Sequence, residues 1–284
     1  MVTIRPLTVE DIGEAIQLSH AERWNQTEKD WELLIQTPEN ICLAADLNGK
    51  LIGTSTAINY NNAIAWIGMV LVNREYRGRG VSKLLLSELF NRLKHIRSIK
   101  LDATPAGQPV YQKFGFKDEY VLHRMTVDSV STKAISNENV NFPERIQTED
   151  LSEVIEFDKQ VFGANRKQLI EFLIKNNPGN SWLIRREEKI CGVVLGRKGS
   201  RFYQIGPVLA ANEEDAKILI AKVIRELQVE PLVVDVPADK KALTEWLSRL
   251  GFQIQRPFIR MYQNENPFPG IPEQQFLICG PEFG

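Results

Sequence analysis

The chain repeats itself. RPLTVEDI (residues 5–12) and ERIQTEDL (residues 144–151) share an acidic pair followed by an aliphatic residue. LIGTSTA from Leu51 and ICGVVLG from Ile190 place Gly53 and Gly192 at the same spacing, 139 residues (192 − 53). IGMVL (67–71) meets IGPVL (205–209) at 138, and KFGF (113–116) meets RLGF (249–252) at 136, as does Arg124-Met125 against Arg260-Met261. A period of this kind means that one set of elements is built twice. At 284 residues, 43% hydrophobic and 25% charged, the chain has enough apolar material for two cores of ordinary size. The period shortens after the shared Ile-Gly-x-Val-Leu run, so the first copy carries a few extra residues there.

Each copy reads alike. In the first, Thr8 and Asp11 open an amphipathic helix through Ile12, Ala15, Ile16 and Leu18, and Thr27 with Asp30 caps a second from Trp31 to Gln36. ICLAAD, Asn48-Gly49 and KLIGTSTAI form a two-residue hairpin. A third strand, AIAWIGMVLV, leads into Arg77-Gly78-Arg79-Gly80 and a helix whose apolar face holds Val81, Leu84, Leu85, Leu89, Leu93 and Ile96. Strand SIKLDAT, a short helix around 110–114 and strand YVLHRMTV complete an α, α, β, β, β, α, β, α, β order, an α/β chain of α+β type with a mixed sheet. The Ser/Asn/Thr-rich stretch 128–141 reads as a linker between a unit at 1–127 and a second at 142–284. After residue 263, a turn-rich crossing leads to FLIC, a last docked strand.

Charge and hydropathy exclude some classes of function. With 35 Lys+Arg against 36 Asp+Glu, the net charge of −1 provides no global field to draw the chain onto nucleic acid or an anionic membrane. No apolar run approaches a membrane span and the N-terminus lacks signal-peptide patterning, so a cytoplasmic location is expected. Cys42, Cys191 and Cys279 sit singly in apolar runs, as free cysteines of a reducing compartment do, and form no metal-ligand cluster.

The chemistry points to residues 73–82. Glycines after a strand and before a helix let main-chain N–H groups close on an anion, aided by the partial positive charge of the helix N-terminus. No Gly-Lys-Ser/Thr follows, which excludes a Walker loop, and Lys83 stands where a dinucleotide fingerprint needs its third glycine.

A strand, this turn, a helix, a further strand and then Tyr111-Gln112-Lys113-Phe114-Gly115-Phe116 closely resemble the GNAT acyltransferase superfamily over nearly all of residues 1–127. Its pyrophosphate motif, Arg/Gln-x-x-Gly-x-Gly/Ala, matches Arg77-Gly78-Arg79-Gly80-Val81-Ser82, with Ser82 in the last small position. The resemblance implies acetyl-CoA as co-substrate, without a metal. It also implies main-chain contacts from Val70, Leu71 and Val72 to the pantetheine arm, and Tyr111 as general acid for the departing thiolate. The family's Asn-x-x-Ala-x-x-x-Tyr reads as Thr104 to Tyr111, with Thr104 in place of Asn and Gly107 in place of Ala. Asp102 and His123, on the strands flanking the expected centre, are candidate bases. Asp102 is alternatively a brace for its turn and His123 an ordinary strand residue. His20, Trp24 and Trp31 lie on the elements that frame the acceptor, with apolar packing the simpler role of both tryptophans.

The second copy has Asn212-Glu213-Glu214-Asp215 where the first has its glycines, and Trp246 near the position of Tyr111. Three carboxylates oppose pyrophosphate and also make a good helix N-terminus. The expectation is a tandem GNAT protein whose degenerate second domain binds no cofactor and walls the acceptor site with residues after Asp150 and the tail 275–284. Its activity would be N-acetylation of a small-molecule amine. The rival readings are a non-catalytic acyl-CoA sensor and a protein lysine acetyltransferase. The residues specify neither the acceptor nor an oligomeric state.

Overall fold

The computed structural model describes residues 1–130, 142–227 and 230–284; the linker expected over 128–141 falls, from residue 131 onward, outside the described residues. The first half runs β1 (Thr3–Pro6), α1 (Ile12–Ala21), α2 (Glu28–Gln36), β2 (Ile41–Leu47), β3 (Lys50–Tyr60), β4 (Ile64–Val72), α3 (Val81–Arg92), β5 (Ser98–Ala103), α4 (Gln108–Gln112) and β6 (Lys117–Val127). The second repeats it with β7 (Glu144–Arg145), α5 (Leu151–Phe162), α6 (Lys167–Asn176), β8 (Trp182–Arg186), β9 (Lys189–Lys198), β10 (Tyr203–Ala210), α7 (Glu213–Leu227), β11 (Leu232–Pro237), α8 (Lys241–Arg249) and β12 (Gln253–Asn264). A last strand, β13 (Gln275–Leu277), follows. Both halves therefore open on a short strand that the order read from sequence lacks. At four and two residues, β1 and β7 are too short for alternation to register.

The local signals act as read elsewhere. Asn48 (φ +55°) and Gly49 (φ +81°) make the β2–β3 turn in the left-handed region that a two-residue hairpin needs. The Thr27 main-chain N–H and hydroxyl both donate to Asp30 Oδ2, at 2.7 and 2.9 Å, closing the capping box of α2. On α3, Val81, Leu85, Leu86 and Leu89 are buried against β2 and β3. Leu84, expected on that face, is 49% exposed because it sits three residues after Val81, at the edge of a stripe centred on the i, i+4, i+8 row.

Among the described residues all thirteen strands join one sheet, in the order β1-β2-β3-β4-β5-β12-β6-β11-β10-β9-β8-β7, with β13 on β10. The centre of this order is an exchange. Strand β12 of the second half lies between β5 and β6 of the first, and β6 lies between β11 and β12 of the second, all antiparallel. Each half thus completes the other's sheet, about a pseudo-twofold axis between β6 and β12. Two buried ion pairs repeat this symmetry. Arg124 of β6 holds Asp235 of β11 through Nε and Nη2 at 2.8 and 2.7 Å, and Arg260 of β12 holds Asp102 of β5 at 2.8 and 2.9 Å.

Helices α1, α2, α5 and α6 share one core on one face, with Trp31, Leu34, Trp66, Phe162 and Phe283 at its centre. On the other face α3 covers the first half and α7 with α8 the second. No helix among the described residues is long and apolar enough to cross a membrane.

Candidate active site

Strands β4 and β5 run parallel and paired only from Ile64↔Ser98 to Ile67↔Leu101. Beyond that point they part, and β4 bulges at Met69, whose φ of +49° is rare for a side-chain-bearing residue. The Thr54 hydroxyl donates to the Met69 carbonyl at 2.8 Å and holds the bulge in place. A cavity of about 640 Å³ opens in the gap, lined by Gly68 to Val72 of β4, the turn after it, and Leu101 to Thr104.

The turn is shaped for an anion. Gly78 (φ +74°) and Gly80 (φ +81°) take conformations that favour glycine, with open space where a side chain would stand. Helix α3 has no acidic residue in its first turn and no side-chain cap. Its first backbone bond runs from the Leu84 N–H to the Gly80 carbonyl, and among the described residues the N–H groups of 78–83 find no protein acceptor. Val70, Leu71, Val72, Arg77, Gly78, Gly80, Val81, Ser82 and Thr104 all line the cavity. Arg79 does not; its guanidinium lies over the Tyr76 ring, 5.5 Å from the centroid.

Tyr111 lines the same cavity from α4, its ring edge-on to Phe116 at 5.8 Å, and burial raises its phenol well above the usual value, so it holds its proton at neutral pH. Thr104 Oγ1 accepts the Gly107 N–H at 3.2 Å and braces the turn beneath Tyr111. Asp102 also faces the cavity, but both its oxygens are taken by Arg260. The equivalent pair, Arg124–Asp235, ties β6 to β11 in the same way, so the shared role is to lock the exchanged strands. His123 is absent from the cavity wall. Its neighbour Arg124 lines it, and successive strand residues face opposite sides of a sheet. Of the residues on the acceptor-framing elements, Trp24 lines the cavity, His20 lies in a separate shallow cleft with Arg23, and Trp31 is fully buried in the core.

The wall opposite the turn comes from Glu22, Trp24 and Gln26 of the α1–α2 loop, Arg124 of β6, Arg256 and Phe258 of β12, and Pro281 with Glu282 of the tail. The second half fixes that loop. Asn25 Oδ1 accepts the main-chain N–H groups of Arg201 and Phe202 at 3.1 and 2.9 Å, and its Nδ2 donates to the Phe202 carbonyl at 3.0 Å. The tail is pinned where Trp66 Nε1 donates to the Pro281 carbonyl (2.9 Å) and the Tyr60 hydroxyl to the Phe283 carbonyl (2.7 Å). It passes so close to β4 that a Cβ on Gly68 would stand 3.1 Å from Glu282 Cα. Arg197 bridges Asp30 of α2 (3.0 Å) to Glu282, closing a buried cluster that joins α2, β9 and the tail. Glu22 reaches the turn itself, pairing with Arg77 at 2.6 Å and Arg74 at 3.0 Å. Partial burial raises the Glu22 carboxyl, but the two arginines outweigh it and hold the group below its usual range. Sequence reading located the tail as part of the wall. It missed Glu22 and Gln26, which sit in a loop with no local pattern, and Arg124, Arg256 and Phe258, whose strands take their places only in the exchange.

The second half is built on the same plan with its gap filled. Strands β10 and β11 pair only at Tyr203↔Leu232 and Gln204↔Val233 before parting. Into the opening comes β13, paired with β10 at Val208↔Leu277, while the Ile278 N–H donates to the Asp235 carbonyl of β11 at 3.1 Å. Helix α7 is capped from within, since Asn212 Oδ1 accepts the Asp215 N–H at 3.0 Å and Arg186 holds the buried Asp215 carboxylate at 2.6 Å.

Known proteins agree with this duplicated architecture. Residues 9–116 match the profile of the Acetyltransferase (GNAT) family and residues 154–277 that of an Acetyltransferase (GNAT) domain. Holothin acyltransferase of Pseudoalteromonas sp. (strain SANK 73390) is 24% identical over 269 residues, 93% of this chain and 89% of that protein. The uncharacterized N-acetyltransferase YitH of Bacillus subtilis (strain 168) is 25% identical over 71% of each chain. Among solved structures, a Pyrococcus horikoshii protein superimposes with a TM-score of 0.79 at 22% identity, covering 100% of this chain and 96% of its own. A tandem GNAT protein from the clavulanic acid biosynthesis pathway gives 0.61 at 13%, covering 94% and 99%. With two such profiles spanning most of its length and one mixed sheet built from both, the chain belongs to the GNAT acetyltransferase family, an acyltransferase with two of the family's domains in tandem.

Proposed function

We propose that the protein is an N-acetyltransferase that moves the acetyl group of one acetyl-CoA per chain to the primary amine of a small molecule. The observation that carries this reading is the asymmetry between the two gaps: only the first opens onto a glycine turn with unpartnered N–H groups. Those groups, with Arg77, suit a pyrophosphate, and the parted main chain of Gly68 to Val72 suits the pantetheine arm. Acetyl-CoA supplies the activated acyl carbon. As the amine nitrogen bonds to that carbon the C–S bond breaks, the amine's proton passes to water, and the departing sulfur takes a proton from Tyr111. A thiol leaving group needs limited help, so Tyr111 contributes at the low end for a general acid. No carboxylate on the cavity wall is free of an arginine, which favours water as the first proton acceptor. The tail over the acceptor end supports a small acceptor rather than a lysine on a protein surface. The test is a panel of amines, amino acids and lysine peptides assayed for CoA release, with calorimetry for binding. Cofactor bound without CoA release from any amine would make the chain a sensor instead.

A further inference from the structure

The charged groups on the cavity wall pair off almost completely. Glu22 is matched by Arg77, Asp102 by Arg260, Glu282 by Arg197, and Arg124 by Asp235. Arg256 is left over. Among the described residues it makes no hydrogen bond or ion pair, and its Nε is buried without a partner. Its guanidinium lies over the ring of Phe258, 5.0 Å away and shared with Arg124, and the carboxylates whose charge reaches it, Asp235, Glu282 and Glu22, are each already held by another arginine. Burial and the nearby Arg124 push its guanidinium below the usual range, the signature of a cation short of a counter-charge.

Arg256 is also aimed deliberately. The β12–β6 register slips between Ile254 and Arg256, a bulge that sets Arg256 opposite Arg124, a residue of the cavity wall. On the same wall, Gln26 is 3% exposed and its Oε1 has no partner among the described residues. Leaving a buried polar atom unmatched is unfavourable, so two such groups on one cavity wall mark where a polar ligand completes them.

We infer that the acceptor is an amine that also carries an oxyanion, which Arg256 clamps while the Gln26 amide hydrogen-bonds the same molecule; the inference rests on the acetyltransferase reading above. A guanidinium takes two oxygens of a carboxylate in parallel, so an amino acid is the form the site fits best. Arg256 acts here on specificity, not on chemistry. Its counterpart in the repeat, 136 residues earlier, is Tyr120, so the feature belongs to one half only.

The experiment compares amino acids, phosphorylated amines and the corresponding uncharged amines on wild type, Arg256→Ala, Arg256→Lys and Gln26→Ala. Wild type is expected to prefer the anionic amines. Arg256→Ala should raise their KM by roughly 10- to 100-fold, the loss of one charge-assisted pair, and shift KM for uncharged amines far less, so that the preference for anionic amines is lost. Arg256→Lys should recover part of the loss, and Gln26→Ala should raise KM for every amine. Preference for phosphorylated amines over amino acids, with the same Arg256 dependence, supports the oxyanion and identifies it as phosphate. CoA release from uncharged amines alone, indifferent to Arg256→Ala, overturns this inference and leaves the acetyltransferase intact. A fall in acetyl-CoA affinity in Arg256→Ala assigns the residue to the cofactor and overturns it too. No CoA release from any amine overturns the parent reading and this one together.

Discussion

The two halves share every element from β1 to β6 and from β7 to β12, yet they part company at the same point of the fold, where the fourth and fifth strands separate. In the first half the gap stays open, the helix beyond it begins on Gly80, and six successive N–H groups have no protein partner among the described residues. In the second the gap holds β13 and the helix begins on an Asn212–Asp215 cap fastened by Arg186. The difference shows that a binding site of this kind is a set of unsatisfied backbone groups that the fold keeps exposed. Once the chain's own segment satisfies them, the fold remains and the site is gone. Charge alone, the argument available from the Glu213-Glu214-Asp215 run, captures only part of this; steric occupation by β13 is the larger part.

The strand exchange sets the first way to break the comparison. If the halves depend on each other, a chain ending at Ser136 loses β12, leaves β5 and β6 without their shared neighbour, and strips the loop of its Asn25 contacts. It should fail to unfold cooperatively or stay in solution. A soluble fragment with a sharp thermal transition and full acetyl-CoA affinity would make the halves independent units.

Next in size is the turn. Gly80→Glu puts a side chain where the left-handed backbone disfavours one and a negative charge beside the expected pyrophosphate, and losing two charge-assisted hydrogen bonds costs roughly 3–6 kcal/mol of acetyl-CoA binding. Calorimetry on wild type should give one cofactor per chain and on the variant none, with the fold retained. Two equivalent cofactors in wild type would put a working site in the second half.

The paired arginines sharpen the comparison further. Asp102→Ala and Asp235→Ala each leave a buried arginine without its carboxylate, and each should cost about 3–5 kcal/mol in denaturant unfolding. Equal costs make the pairs equivalent locks. If Asp102→Ala also lowers kcat far beyond Asp235→Ala, Asp102 has a part in the chemistry.

The smallest effect is at Tyr111 and at Trp246, the aromatic residue beside its counterpart in the repeat. Tyr111→Phe should lower kcat about 10²-fold with cofactor affinity little changed, while Trp246→Phe should leave kcat alone. Because burial raises the Tyr111 phenol, its proton-donating form persists to high pH, and wild-type kcat should show no alkaline fall before about pH 10. A fall centred well below that pH would assign the acid to another group.

The sequence by itself determined the repeat, the hairpin at Asn48-Gly49, the caps at Thr8 and Thr27, the glycine turn at 77–82 and the docking of FLIC as a strand. Each of these is a local pattern, in which residues a few positions apart satisfy or free their own backbone groups. What only the tertiary structure decided is who pairs with whom. Strands β6 and β12 descend from one pattern and suit either fifth strand, so residue types leave self-pairing and exchange nearly equivalent. The reciprocal Arg124–Asp235 and Arg260–Asp102 pairs appear only once both strands are in place. The same holds for the site. Glu22, Gln26, Arg124, Arg256 and Glu282 come from four separate elements, and the charges among them acquire meaning only when the fold shows which arginine already has a carboxylate and which has none.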